Sequence, residues 1–435
     1  MTIPQALQLA TQRYQAGLPA EVETICRQVL AVDPRQADAM HFIGLAALSS
    51  GKAEEAAEWI RKAIAVNPSV ADFHYSLGNT LRGLGRLDEA ISALENALNI
   101  RPDLAVIHTN LGCAFLEKGR LNEAIAAFQR TIQIDPGMAA AYCNLGSALL
   151  RSCRYNEALD TLQHALALQP DLAETHDNLG CTLHALRRIK EAITAHRKAI
   201  HLQPGYALAH NNLGTALRDQ GKLDEAAVCF RRACELQPTF AAACLNLGNV
   251  LKEQGRLDEA VAAYHRALQL HPDLATAHNN LGTLLKEQGC SEKALSCFRH
   301  ALQSQPDSAG IRSNFIETLH YVPGTTLRTI FEEHCEYDRR HAAPLLASAA
   351  RHDLTDRPHR LRLGFVSPHF ADHPVGRFLI RLLENLDRDE FDIVCYSDTP
   401  AADEMTARIR AAATEWHEVR PLSDEDLARD RKSVV

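Results

Sequence analysis

An all-α solenoid followed by a short α/β segment is the fold class this sequence predicts, and three observations predict it. Pro34, Pro68, Pro102, Pro136, Pro170, Pro204, Pro238, Pro272 and Pro306 fall at an unbroken interval of 34 residues. Gly44, Gly78, Gly112, Gly146, Gly180, Gly214, Gly248 and Gly282 keep the same beat, as do Ala56, Ala90, Ala124, Ala158, Ala192, Ala226, Ala260 and Ala294. Near Arg351 the beat stops, and short apolar runs begin to alternate with a helical pattern.

A 34-residue period belongs to the tetratricopeptide repeat (TPR), a helix–turn–helix unit that stacks into a superhelix. Ala71–Leu104 is a typical unit. Helix A carries Leu77, Gly78 and Leu81. Gly85 ends it, because the left-handed conformation of a helix C-terminus costs glycine little. Asp88 and Glu89 open helix B, at the end where the helix dipole favours acids, and Ala90, Leu94, Ala97 and Leu98 form its apolar face. Pro102 stops it. Gly78 and Ala90 are small so that the two helices can approach; a large side chain would force them apart. Nine repeats share this plan: 3–36, 37–70, 71–104, 105–138, 139–172, 173–206, 207–240, 241–274 and 275–308. Ala309–His320 starts a tenth helix A, Pro323-Gly324 breaks the rhythm, and Thr326–Pro344 reads as a helix that closes the solenoid, so 309–350 is assigned to capping and linking helices.

Composition narrows the function. A net charge of -8 offers no basic face for nucleic acid. Met1–Gly17 has no apolar run of signal-peptide length, and nothing approaches a membrane span. The twelve cysteines contain no C-x-x-C pair. They read as reduced packing residues, which points to a cytoplasmic protein without a metal.

In stacked TPRs the A helices line the concave face, and the residue just before the Leu-Gly pair points into it. That residue is Asn110, Asn144, Asn178, Asn212, Asn246 and Asn280, with Asn314 on beat in the tenth helix. A carboxamide both donates and accepts hydrogen bonds, so seven in a row can clasp the backbone of an extended peptide without reading its side chains. They can equally bridge neighbouring helices. His74, His108, His176, His210 and His278 also recur, four residues into helix A; they are too far apart to share a metal and read as core packing residues.

The last segment changes character. Residues 351–360 are polar and read as a linker. Leu361–Ser367 reads as a buried strand. Val375, Phe378, Leu379, Leu382, Leu383 and Leu386 mark one face of a helix. Phe391–Ser397 is a second strand, Met405, Ile409, Ala412 and Ala413 a second helix, and Trp416–Val419 a third strand. This order starts a doubly wound parallel sheet, which binds ligands beyond the carboxyl ends of its strands. The loop there, residues 368–374, holds His369, Asp372 and His373.

With the asparagine ladder, RRHAAPL, RLRLGFVSPHFADHPVGRFL and FDIVCYSD in view, the chain resembles the bacterial branch of the O-GlcNAc transferase/SPINDLY family. The resemblance implies a GT-B glycosyltransferase with two Rossmann-like lobes. It implies metal-independent, inverting transfer of a sugar, GlcNAc from UDP-GlcNAc, to Ser or Thr of proteins in the TPR groove. The family's motif histidine falls on His373, at the active site and proposed there as a base. No cofactor is implied beyond the sugar-nucleotide substrate. The family keeps most donor contacts in its C-terminal lobe, whereas residues 361–429 correspond to part of the N-terminal lobe. Residues 430–435 do not continue the expected helix and read as a non-native tail. The expectation is an incomplete lobe, inactive alone. The other reading is a non-catalytic TPR scaffold with a vestigial sheet.

Overall fold

The computed structural model describes residues 1–343, 361–399 and 402–419. The linker 351–360 and the tail 430–435 lie outside the described residues. The chain divides into two compact units, Met1–Thr325 and Thr326–Val435.

The first unit is a TPR solenoid. Its A helices run from Ile3–Gln15, Ala37–Ser49 and Ala71–Gly83 through to Ala275–Glu287 and Ala309–Leu319, and its B helices from Pro19–Val32 to Ser291–Ser304. Each starts on the 34-residue beat. The turn chemistry is visible in the backbone. Gly85 sits at φ +73°, its N–H donating to the Arg82 carbonyl, and the next N–H, of Arg86, reaches back to Leu81 O at 2.9 Å. Two repeats make this turn without glycine: Cys153 and Arg187 adopt φ of 60° and 62°.

The glycine on helix A has a packing reason. A Cβ on Gly112 would lie 2.6 Å from the Phe128 ring, and one on Gly78 would lie 2.6 Å from Leu94. Helix B lays the side chain sixteen residues on across that gap in every repeat from the second to the ninth: Ile60, Leu94, Phe128, Leu162, His196, Phe230, Tyr264 and Phe298. The first repeat has Ala10 and Cys26 there, both fully buried. Consecutive A helices pack on one another more closely than consecutive B helices do, so the A side is the shorter, inner edge of the stack.

The second unit begins with the helix Leu327–Tyr337, which buries none of its residues. Gly324, at φ +81°, makes the break before it. Three parallel strands come next, β1 (Leu361–Ser367), β2 (Phe391–Ser397) and β3 (Glu415–Glu418), in the order β1-β2-β3. The helices Pro374–Asn385 and Glu404–Ala412 connect them and pack on each other. Right-handed crossovers between sequential strands put both helices on one face. There Ile393 and Cys395 of β2 meet Ile380, Leu383 and Ile409 in a small core. β1 is read from sequence as a buried strand; it lies instead at the edge, with Gly364 and Val366 exposed, because among the described residues only β2 has a neighbour on both sides. Among the described residues no helix is long and apolar enough to cross a membrane.

Candidate functional site

The ladder and the motif histidine fall in different units. In the solenoid, all seven ladder asparagines are half-buried on the A helices. Their amide N–H groups are spent within the protein, on the preceding repeat. Asn110 Nδ2 donates to Tyr75 Oη (3.2 Å), Asn212 to Asp177 Oδ2 (3.0 Å), Asn246 to Asn211 Oδ1 (3.0 Å), Asn280 to Asn249 Oδ1 (2.8 Å) and Asn314 to Asn279 Oδ1 (3.0 Å). Asn144 and Asn178 reach the thiols of Cys113 and Cys143 instead. Three carbonyl oxygens are also used: Arg82 donates to Asn110, Asn211 to Asn212 and Asn279 to Asn280. The Oδ1 atoms of Asn144, Asn178, Asn246 and Asn314 accept no hydrogen bond from the described residues. The ladder is thus a set of bridges between repeats that leaves a row of acceptors. Beside it, Arg218, Asn249, Lys252, Glu253, Tyr264 and Asn280 border a cavity of about 370 Å³.

The recurrent histidines do more than pack. Nε2 of His74, His108, His176, His210 and His278 lies 2.8–3.1 Å from the carbonyl oxygen six residues earlier, that of the beat proline. Only His74 is buried. Each ties the loop between repeats to the helix after it. The signal for this role is the constant spacing from proline to histidine.

In the α/β unit, the loop after β1 is pinned from several sides. Phe370 is fully buried and packs on Trp416. His369 N–H donates to Ser367 Oγ at 3.0 Å. Gly376 allows the loop to fold against the helix, since a Cβ there would sit 2.2 Å from Ala371 O. Asp372 is held at both ends: its carboxylate takes two bonds from Arg377 (2.6 and 3.0 Å), and its N–H donates to Asp403 Oδ2 at 2.6 Å. The Arg377 hydrogen bonds hold the Asp372 carboxyl below its ordinary range. Asp403 also caps the second helix through Thr406. Its bond to Asp372 joins the two connections, a contact between residues 31 apart that no local pattern announces.

His373 is the N-cap of the helix Pro374–Asn385. The Val375 N–H donates to its Nδ1 at 3.3 Å, and its ring stacks flat on His369, centroids 4.1 Å apart at 15°. An imidazole whose Nδ1 accepts carries its proton on Nε2 when neutral. The free edge of His373 is therefore a hydrogen-bond donor. A base at Nε2 would first have to exchange that tautomer.

Comparison with known proteins gives a consistent picture of the fold. The profile of the cilia and flagella-associated protein 70 C-terminal domain matches residues 70–279, and tetratricopeptide repeat profiles match 7–65 and 251–313. A search of the curated proteins finds no match. Among solved structures, a mutant of the Thermobaculum terrenum O-GlcNAc transferase is 30% identical over 52% of this chain and 44% of its own, with a TM-score of 0.44. The APC/C hetero-tetramer Cut9-Hcn1 is 17% identical over 69% of this chain and 59% of its own, with a TM-score of 0.51. The chain thus spans about half the length of the structures it matches. The matching profiles are of tetratricopeptide repeats, and the chain is a TPR solenoid that also carries a small three-stranded parallel α/β unit.

Proposed function

We propose that the chain is part of a protein O-glycosyltransferase that transfers a sugar, GlcNAc from UDP-GlcNAc, to Ser or Thr of polypeptides held along the solenoid. The observation that carries this reading is the motif GFVSPHFADHPV, which resembles the O-GlcNAc transferase/SPINDLY family. Its loop lies at the carboxyl end of β1, where doubly wound sheets gather ligands. The residues have distinct tasks. The acceptors of the ladder receive backbone N–H groups of an extended chain, each bond contributing about 0.5–1.5 kcal/mol net. His373 presents Nε2–H to substrate and orients it. Asp372, Arg377 and Asp403 hold the loop that carries it. Stabilising the departing diphosphate needs positioned donors, which the resemblance assigns to a second lobe.

The test uses the product of the whole open reading frame from which this sequence comes, with UDP-GlcNAc and a Ser/Thr-containing acceptor protein, read as mass gain on the acceptor. Transfer is expected, and His373→Ala should lower it by about 100-fold or more, the scale of losing one positioned group, while acceptor binding survives. Acceptor binding with no transfer by the intact gene product would leave the second reading, a non-catalytic scaffold. That reading is favoured by the solenoid accounting for most of the chain and by the general use of TPR stacks as protein-binding surfaces.

A further inference from the structure

The sixth repeat departs from the packing rule of the others. Where the other repeats from the second to the ninth lay an aliphatic, phenylalanine or tyrosine side chain across the helix A glycine, it has His196, whose ring atoms would meet a Cβ on Gly180 at 2.5–2.7 Å. Facing it on the helix Ala173–Ala185 is Asp177. Both side chains are almost wholly enclosed, 1% and 2% exposed, and His196 Nδ1 lies 2.7 Å from Asp177 Oδ1. Cys181, one helical turn after Asp177, completes a set of oxygen, sulfur and nitrogen atoms all within 4.8 Å of one another. A fourth group arrives from the next repeat: Asn212 Nδ2 is 3.0 Å from Asp177 Oδ2 and 3.4 Å from Cys181 Sγ.

We infer that Asp177, Cys181 and His196, with Asn212 as fourth ligand, form a binding site for a divalent cation of the zinc type. Imidazole and thiolate donors beside a carboxylate are the donor types that Zn²⁺ takes. The charges balance: Asp177 carboxylate and Cys181 thiolate together neutralise a divalent ion, so the loaded site places no net charge in the interior. Without an ion, the interior holds a carboxylate beside an imidazole at a desolvation cost of several kcal/mol per charge if both are ionised. Metals bind cysteine as thiolate, so binding displaces the Cys181 thiol proton to solvent as the metal–sulfur bond forms. The donor atoms, all within 4.8 Å of one another, close on the ion by side-chain movement. Two ligand atoms about 2 Å from one tetrahedral ion sit roughly 3.3 Å apart, so the 2.7 Å His–Asp contact opens by about half an ångström. Turning the Asn212 carboxamide over presents Oδ1 where Nδ2 now lies, an exchange of near-identical shape. The ion would join three helices of two repeats and stiffen the inner edge of the solenoid at its midpoint.

The test is Co²⁺ and Zn²⁺ titration of the full chain after dialysis against a chelator. The expected result is one equivalent of Co²⁺ bound, with a thiolate-to-metal charge-transfer band and the intense visible bands of tetrahedral Co²⁺, displaced by Zn²⁺, and a rise in thermal midpoint with either ion. Cys181→Ser should remove the charge-transfer band. Removing one buried charge alone risks unfolding, so the second variant is Asp177→Asn/His196→Phe. It reproduces the Asn211–Phe230 and Asn279–Phe298 combinations of repeats seven and nine, and should fold yet lose the bound equivalent. No stoichiometric binding, or binding unchanged in both variants, overturns the proposal and leaves Asp177–His196 as a buried polar pair only.

Discussion

Single residues decide whether a repeat obeys or breaks the common plan. Arg187 and Cys153 make the turn after helix A in a conformation that costs an L side chain roughly 1–2 kcal/mol, where seven other repeats use glycine. Set against the extra chain entropy glycine loses on folding, Arg187→Gly should stabilise the protein by about 0.5–1 kcal/mol, measured as a rise in the urea midpoint at constant slope. Gly119→Ala, at φ +79°, should move the midpoint the other way. His41 gives the N-terminal repeats a pH dependence. Its Nε2 bonds Ser76 Oγ at 2.9 Å and its ring packs on Phe73. Desolvation by burial, opposed in part by Asp72, lowers its pKa to about 4. The folded state then binds fewer protons than the unfolded chain between about 6.5 and 4. Stability present above pH 6.5 should be lost as pH falls through 4, by an amount on the order of 3 kcal/mol at most. Urea unfolding at a series of pH values checks this, and His41→Gln should flatten the slope.

At the scale of elements, the seven asparagines join each helix A to the one before it. Asn246, Asn280 and Asn314 end on carboxamides of the neighbouring repeat. Replacing all three with alanine should lower stability by about 0.5–1.5 kcal/mol for each bond lost. Binding of an extended peptide, measured in native buffer where the variant remains folded, should weaken too. A triple variant as stable as the parent would mean that the bridges contribute nothing net. Helices and strands were legible in the sequence because each has a local cause. The proline, glycine and alanine beat is written in every repeat, and β1, β2 and β3 arise from apolar runs between polar turns. Edge position was not legible, since β1 and β2 look alike until pairing places β2 in the middle. The carboxamide bridges were open to two readings because a side chain's partner on another helix lies 31 or 35 residues away. The Asp177–His196 pair left one trace, a histidine where aromatic or aliphatic residues recur, and the partner on helix A could not be named without the packing.

Across the whole molecule, stability is local. Each repeat touches its neighbours, so the first unit carries its own nearest-neighbour interfaces. A protein ending at Thr325 should show full helical circular dichroism and unfold cooperatively; a spectrum without helix, or loss of the transition, would show that the solenoid depends on the second unit. Seven of the eight repeats from the second to the ninth pack helix A on helix B in one way, glycine under a single aliphatic or aromatic side chain, with every boundary in the same register. That sameness reaches back to the gene. Unequal crossing-over between two repeats deletes or duplicates a whole unit and joins surfaces that already fit, so the length of the array can change in one genetic event without passing through a misfolded intermediate. The exception is repeat six itself, which alone brings together Asp177, Cys181 and His196: its neighbour's Asn212 has an equivalent in every ladder repeat, but loss of the sixth unit would remove a set that no other repeat carries, which makes it the fixed point of an otherwise interchangeable series.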